Sequence, residues 1–167
     1  MVNSNGLSDA ANARSNHGSA TALAYLINYA LGKNVMASDI VLGTHSNGAN
    51  VLNEALGILK NSYGRSISGS TALIMAPNTS VSTIFNIARQ VGNSQVAVFD
   101  SVHDWPLMGA GVSGKGVGFI DYNHIMRSTR PDNVHFYVVN LSWSPTNHNV
   151  LNYFSAIEGG NYREYKP

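Results

Sequence analysis

Residues 39–60 read DIVLGTHSNGANVLNEALGILK, and this stretch decides the fold. Asp39 to Gly43 form a short apolar run ahead of a turn of small residues, which suits a buried strand. From Asn47 to Lys60, Val51, Leu52, Ala55, Leu56 and Leu59 recur at helical spacing and share one broad apolar face. Between the two lies Gly43-Thr44-His45-Ser46-Asn47-Gly48-Ala49, a tight turn with a serine at its apex. Strand, turn and helix are therefore expected in immediate succession.

The same alternation extends in both directions. Upstream, residues 19–31 place Leu23, Leu26, Ile27, Ala30 and Leu31 at helical spacing, and Gly32 can end that helix. Downstream, residues 71–76 predict a second strand closed by Pro77-Asn78, and residues 83–91 a helix that Ser82 can cap. Residues 95–100 predict a third strand. A Gly-rich segment over 109–118 and a helix over 119–128 follow, then a fourth strand over 134–140 and a last helix over 148–157. Residues 1–17, rich in Asn, Ser and Ala without a clear period, read as a flexible N-terminal arm or boundary. Residues 18–167 then form a single domain. Alternating strands and helices with near-continuously apolar strands predict an α/β class: three layers, a mostly parallel sheet flanked by helices. In such sheets chemistry collects at the carboxyl ends of the strands.

Three strand ends carry reactive side chains. A serine held at the apex of a strained turn brings its flanking backbone close, so small residues are needed two positions either side, here Thr44 and Gly48. This pattern resembles the nucleophile elbow, G-x-S-x-G, of the α/β-hydrolase superfamily, with Thr44 in place of the first glycine. The resemblance covers roughly residues 19–157, in element order and motifs, and implies a reduced hydrolase fold lacking the front strands of the usual sheet. It implies Ser46 as nucleophile. The family order of serine, acid, histidine is met by Asp104, in the loop after the third strand and shortly before Pro106, with Asp100 at the strand end as the fallback acid. It is completed by His148, in the loop after the fourth strand. The Asn47 N–H is the natural oxyanion donor. A second donor usually comes from a loop after an earlier strand that this chain does not show, and Asn5-Gly6 is the nearest remnant of it. The segment Gly109–Gly116 reads as a flap over the site, and Trp105, Leu107, Met108, Val112 and Phe119 are candidates for the flap or an apolar substrate pocket.

The resemblance implies a lipase- or esterase-like serine hydrolase that cleaves an ester, a lipid ester among the candidates, with neither a metal nor an organic cofactor. Two other readings compete: a non-catalytic binding domain on a hydrolase-like scaffold, and a secreted bacterial effector or toxin domain held by a partner protein. The missing front strands suggest either a pared-down family member or a chain whose N-terminal part lies elsewhere. The segment 109–116 also matches the phosphate-cradling G-x-x-x-x-G-K through Lys115, but Gly116 stands where a magnesium-binding Ser or Thr is required. His103 and His148 with Asp100 or Asp104 have no recognised metal-site spacing.

Composition narrows the rest. Charged residues make up only 11% of the chain and the net charge is +1, with no basic run. Binding driven by neutralising nucleic-acid phosphates is therefore not expected. The chain has no cysteine, which excludes disulfides, thiol nucleophiles and cysteine metal sites and leaves the compartment open. No apolar run is long enough to span a bilayer. The opening residues, MVNSNGLSDAANARSNHG, lack the apolar centre of a signal peptide.

Overall fold

A computed structural model of the chain describes residues 7–101, 103–104, 130–142, 144 and 147–165, with side chains from residue 16 onward. The elements run α1 (Leu7–Gly32), a short 3-10 turn (Ala37–Asp39), β1 (Val41–His45), α2 (Gly48–Tyr63), β2 (Thr71–Met75), α3 (Val81–Val91), β3 (Val96–Asp100), β4 (Val134–Val139), α4 (Val150–Glu158) and β5 (Tyr162–Glu164). The strands form one sheet in the order β1-β2-β3-β4-β5. The first four are parallel, and β5 pairs antiparallel with β4. The fold is α/β, as the alternation predicts.

The alternating side-chain directions of a strand divide this sheet into two apolar faces. Leu42, Ala72, Ile74, Val96, Val98, Val134 and Phe136 point to one face, where they pack with residues of α1, α2 and α3. Met75, Phe99 and Val139 point to the other, where Tyr153 and Ala156 of α4 cover them. Helices on both sides of the sheet make three layers. Among the described residues, no helix is long and apolar enough to cross a membrane.

Local chemistry sets the element ends. Gly64 takes the left-handed conformation at the end of α2, where its N–H bonds the Lys60 carbonyl at 3.1 Å and the Arg65 N–H bonds that of Leu59 at 3.3 Å. The cap of α3 is Ser80 rather than the expected Ser82: Ser80 Oγ accepts the Thr83 N–H at 3.3 Å, and the helix starts two residues earlier. The first strand begins at Val41, since Asp39 belongs to the 3-10 turn.

The largest departure lies at the start. The helix α1 begins at Leu7, twelve residues ahead of the start expected at 19. Ala10, Ala11 and Ala13 favour a helix because alanine loses no side-chain entropy there. Contacts with α2 and its preceding turn add to this: Asn16 bonds Asn47, and His17 bonds Glu54. The strand β5 was not anticipated either, because Tyr-Arg-Glu is short, charged and exposed. Those same traits suit a sheet edge. The Gly-rich segment 109–118 and the helix expected over 119–128 lie outside the described residues.

Candidate active site

The turn between β1 and α2 holds Ser46 at φ 54°, a left-handed conformation that costs a non-glycine residue roughly 1–2 kcal/mol. Two backbone bonds to the exit of β2 hold it there. The Ser46 N–H donates to the Met75 carbonyl at 3.0 Å, and the Ser46 carbonyl accepts the Asn78 N–H at 3.1 Å. Helix α2 starts two residues later, so its positive end lies beside the hydroxyl. The small residue at 48 is required by space: a Cβ there would stand 3.3 Å from Thr44 Cβ. Thr44 and Gly48 are thus the close approach that lets strand and helix meet at a serine.

Asp104 and His148 reach Ser46 by loop paths rather than by adjacent strands. β1 and β4 are separated by β2 and β3, about 14 Å at ordinary strand spacing. The segments after β3 and β4 are tied to each other. His103 Nδ1 donates to the Leu141 carbonyl at 2.5 Å. The Asn147 amide, nearly fully buried, donates to the carbonyls of His103 and Ser142. Asn149 then caps α4 by accepting the Leu151 N–H at 2.9 Å, which fixes the backbone just past His148.

The result is a continuous chain of hydrogen bonds. Ser46 Oγ lies 2.7 Å from His148 Nε2. His148 Nδ1 lies 3.0 and 2.9 Å from the two oxygens of Asp104. Because the carboxylate only accepts, Nδ1 carries the proton and Nε2 accepts from the serine. The Asp104 side chain is fully buried, and that of His148 is 23% exposed. Asp100, the fallback acid, is also buried, but its Oδ1 accepts the Ser101 N–H at 2.7 Å while both Asp104 oxygens face the imidazole.

Two aromatic side chains enclose this chain. The ring of His45 lies 4.8 Å from that of His148 and 6.3 Å from that of Tyr153, centroid to centroid. Burial lowers the pKa of His45, and the neighbouring His148 lowers it further, while Asp104 opposes both. Its Nε2 is buried with no hydrogen-bond partner among the described residues, consistent with a neutral ring. Tyr153 is fully buried, and its hydroxyl donates to Asp104 Oδ2 at 2.9 Å.

On the other side of Ser46, Asn47 is held by a directed network of amides. Asn50 donates to the Asn78 carbonyl at 3.1 Å and to Asn47 Oδ1 at 2.7 Å, and its own Oδ1 accepts from the Thr79 hydroxyl. Asn47 donates in turn to Asn16 Oδ1 at 2.9 Å. A backbone carbonyl can only accept, so the Asn78 carbonyl fixes the orientation of Asn50 and, through it, the other two amides. The Asn47 N–H, expected to serve an oxyanion, has no backbone acceptor among the described residues.

The structure brings together Ser46, Asn47, Asp104 and His148. Asn5-Gly6, Trp105, Leu107, Met108, Val112, Phe119 and the Lys115 segment lie outside the described residues. Among those described, no group of three or more His, Asp or Glu side chains is arranged to hold a metal ion. Two surface cavities of about 440 and 450 Å³ lie at the amino ends of the strands, away from Ser46. The sequence reading missed Asn16 and Tyr153. Neither carries a motif, and only the helical spacing of Tyr153 with Ala156 and Ile157 hinted that it would face inward. Compared with protein-family models, curated proteins and solved structures, the chain matches none.

Proposed function

We propose that this chain is a serine hydrolase of the α/β-hydrolase kind, cleaving an ester through an acyl-enzyme. The observation that carries the reading is the unbroken line of hydrogen bonds from Ser46 Oγ through His148 to the buried Asp104. In the proposed reaction Ser46 Oγ attacks the ester carbonyl as His148 Nε2 takes its proton. Asp104 holds the imidazole and offsets the positive charge it acquires. The Asn47 N–H and the positive end of α2 stabilise the tetrahedral oxyanion. His148 returns the proton to the leaving alcohol. A water, deprotonated by the same imidazole, then releases the acid and restores Ser46.

Support also comes from the backbone. A serine at positive φ between a parallel strand and a helix is a costly arrangement, and strain of this kind concentrates at functional sites. The ester class follows from the family resemblance, and lipid esters are the first substrates to screen. The test is incubation with a tagged fluorophosphonate, which traps activated serines, followed by peptide mass mapping. Label on Ser46 that disappears in Ser46→Ala is the expected result. A folded protein that takes no label overturns the reading and favours a non-catalytic binding domain on the same scaffold. The position of β1 at the sheet edge favours that second reading, because no preceding strand among the described residues carries a second oxyanion donor.

A further inference from the structure

We infer that Tyr153 is a positioning residue for this site, its hydroxyl holding the Asp104 carboxylate in the orientation that faces His148 Nδ1. The inference rests on the reading of Ser46, His148 and Asp104 as a hydrolytic site.

The last side-chain torsion of a carboxylate is broad and soft, so its orientation depends on where its donors stand. Both Asp104 oxygens lie within 3.0 Å of His148 Nδ1, so the imidazole alone does not select one rotation of the group. A second donor at a defined angle does select one. The Tyr153 hydroxyl supplies it, 2.9 Å from Oδ2. Tyrosine suits the task because its ring moves about only two torsions. That ring is fully buried against Met75, Ala76, Phe99, Val139 and Leu141. The donor is therefore anchored through its ring to the strands β2, β3 and β4.

The helix α4 couples the two halves of the site. His148 stands just ahead of its first turn and Tyr153 lies within it. Any shift of α4 moves the base and the second donor to the acid together. His45 packs its ring against both, which closes the arrangement from the nucleophile's side. Burial, with Asp100 and Asp104 close by, holds the Tyr153 hydroxyl far above its ordinary pKa, so it remains a donor wherever the enzyme works. A ring needed only to fill space would be equally well served by phenylalanine.

The experiment compares the wild type with Tyr153→Phe, which removes the hydroxyl and little else. Two readouts are taken: steady-state kinetics on an ester that the wild type cleaves, and the far-downfield proton resonance of an imidazole N–H bound to a carboxylate, assigned to His148 Nδ1. The expected result is a kcat lowered roughly 10- to 100-fold with KM nearly unchanged, as for a misplaced catalytic group, together with a displaced or exchange-broadened resonance. Unchanged kcat and resonance overturn the inference. Ala156→Gly, on the same helix and in the same apolar cluster, controls for loss of stability. It is expected to keep kcat and the resonance, and an equal loss there would also overturn the inference. Should Tyr153→Phe not fold, the wild type decides alone: a slowly exchanging Tyr153 hydroxyl proton with a cross-peak to the His148 Nδ1 proton supports the inference, and rapid exchange with water overturns it. A wild type without esterase activity or fluorophosphonate label sinks the hydrolase reading. The resonance still reports whether Tyr153 holds Asp104 against His148.

Discussion

His148 Nε2 lies 2.7 Å from Ser46 Oγ although two strands separate β1 from β4 and 102 positions separate the residues. The described residues of the loop between β4 and α4 are tied to the segment after β3 on the way to that contact. The anchors along it are the bonds of His103 and Asn147 and the Asn149 cap.

Ser46 combines the proposed role of nucleophile with a strained backbone, and two substitutions separate these properties. Both Ser46→Ala and Ser46→Gly are expected to lower kcat/KM by at least about 10⁴-fold, because members of such a unit act together. Glycine accepts φ 54° without the Cβ penalty. Ser46→Gly is therefore expected to be more stable than Ser46→Ala by roughly 1 kcal/mol in denaturant unfolding. Equal stabilities would show that the turn is not strained.

Asp104 and Asp100 are both buried at the end of β3, but only Asp104 has both oxygens against the imidazole. Asp104→Asn is expected to lower kcat about 10⁴-fold, since an amide no longer holds the required tautomer. Asp100→Asn retains an acceptor for the Ser101 N–H and is expected to stay within about tenfold of the wild type. Kinetics of the pair decide the assignment, and a reversed order would make Asp100 the acid.

His45 makes stability depend on pH in a defined direction. Its pKa in the fold is depressed below the ordinary histidine value of about 6.5 by burial and by His148. Between the two values the unfolded chain binds more protons than the folded one, so stability rises with pH. The contribution is complete above about 6.5 and is lost as pH falls below it. Urea midpoints measured between pH 5 and pH 7.5 are expected to fall on the acid side, and less so in His45→Phe, which keeps a ring against His148 without a titrating group. Identical acid slopes would assign the loss to other groups.

The amide network from Asn78 to Asn16 orients Asn47, the proposed oxyanion donor. Asn16→Ala removes one hydrogen bond and is expected to cost about 1 kcal/mol of stability. It is also expected to slow fluorophosphonate labelling of Ser46 about tenfold, the effect of roughly 1.4 kcal/mol on a barrier. A labelling rate equal to that of the wild type would confine Asn16 to a structural role.

The α/β class, the four parallel strands and the helices α2 and α3 were legible in the sequence, because apolar spacing reports which faces of an element must be buried. Ser46, Asp104 and His148 were legible as candidates because each follows a strand, where an open parallel sheet presents its side chains. Tertiary structure alone decided which carboxylate meets the imidazole, that α1 runs back to Leu7, that β5 closes the far edge, and that Asn16, His45 and Tyr153 surround Ser46, Asp104 and His148. Periodicity and capping are local preferences within a few residues of chain. A bond such as that from Tyr153 to Asp104, 49 positions apart, depends on the path of loops and the packing of layers, which no local pattern encodes.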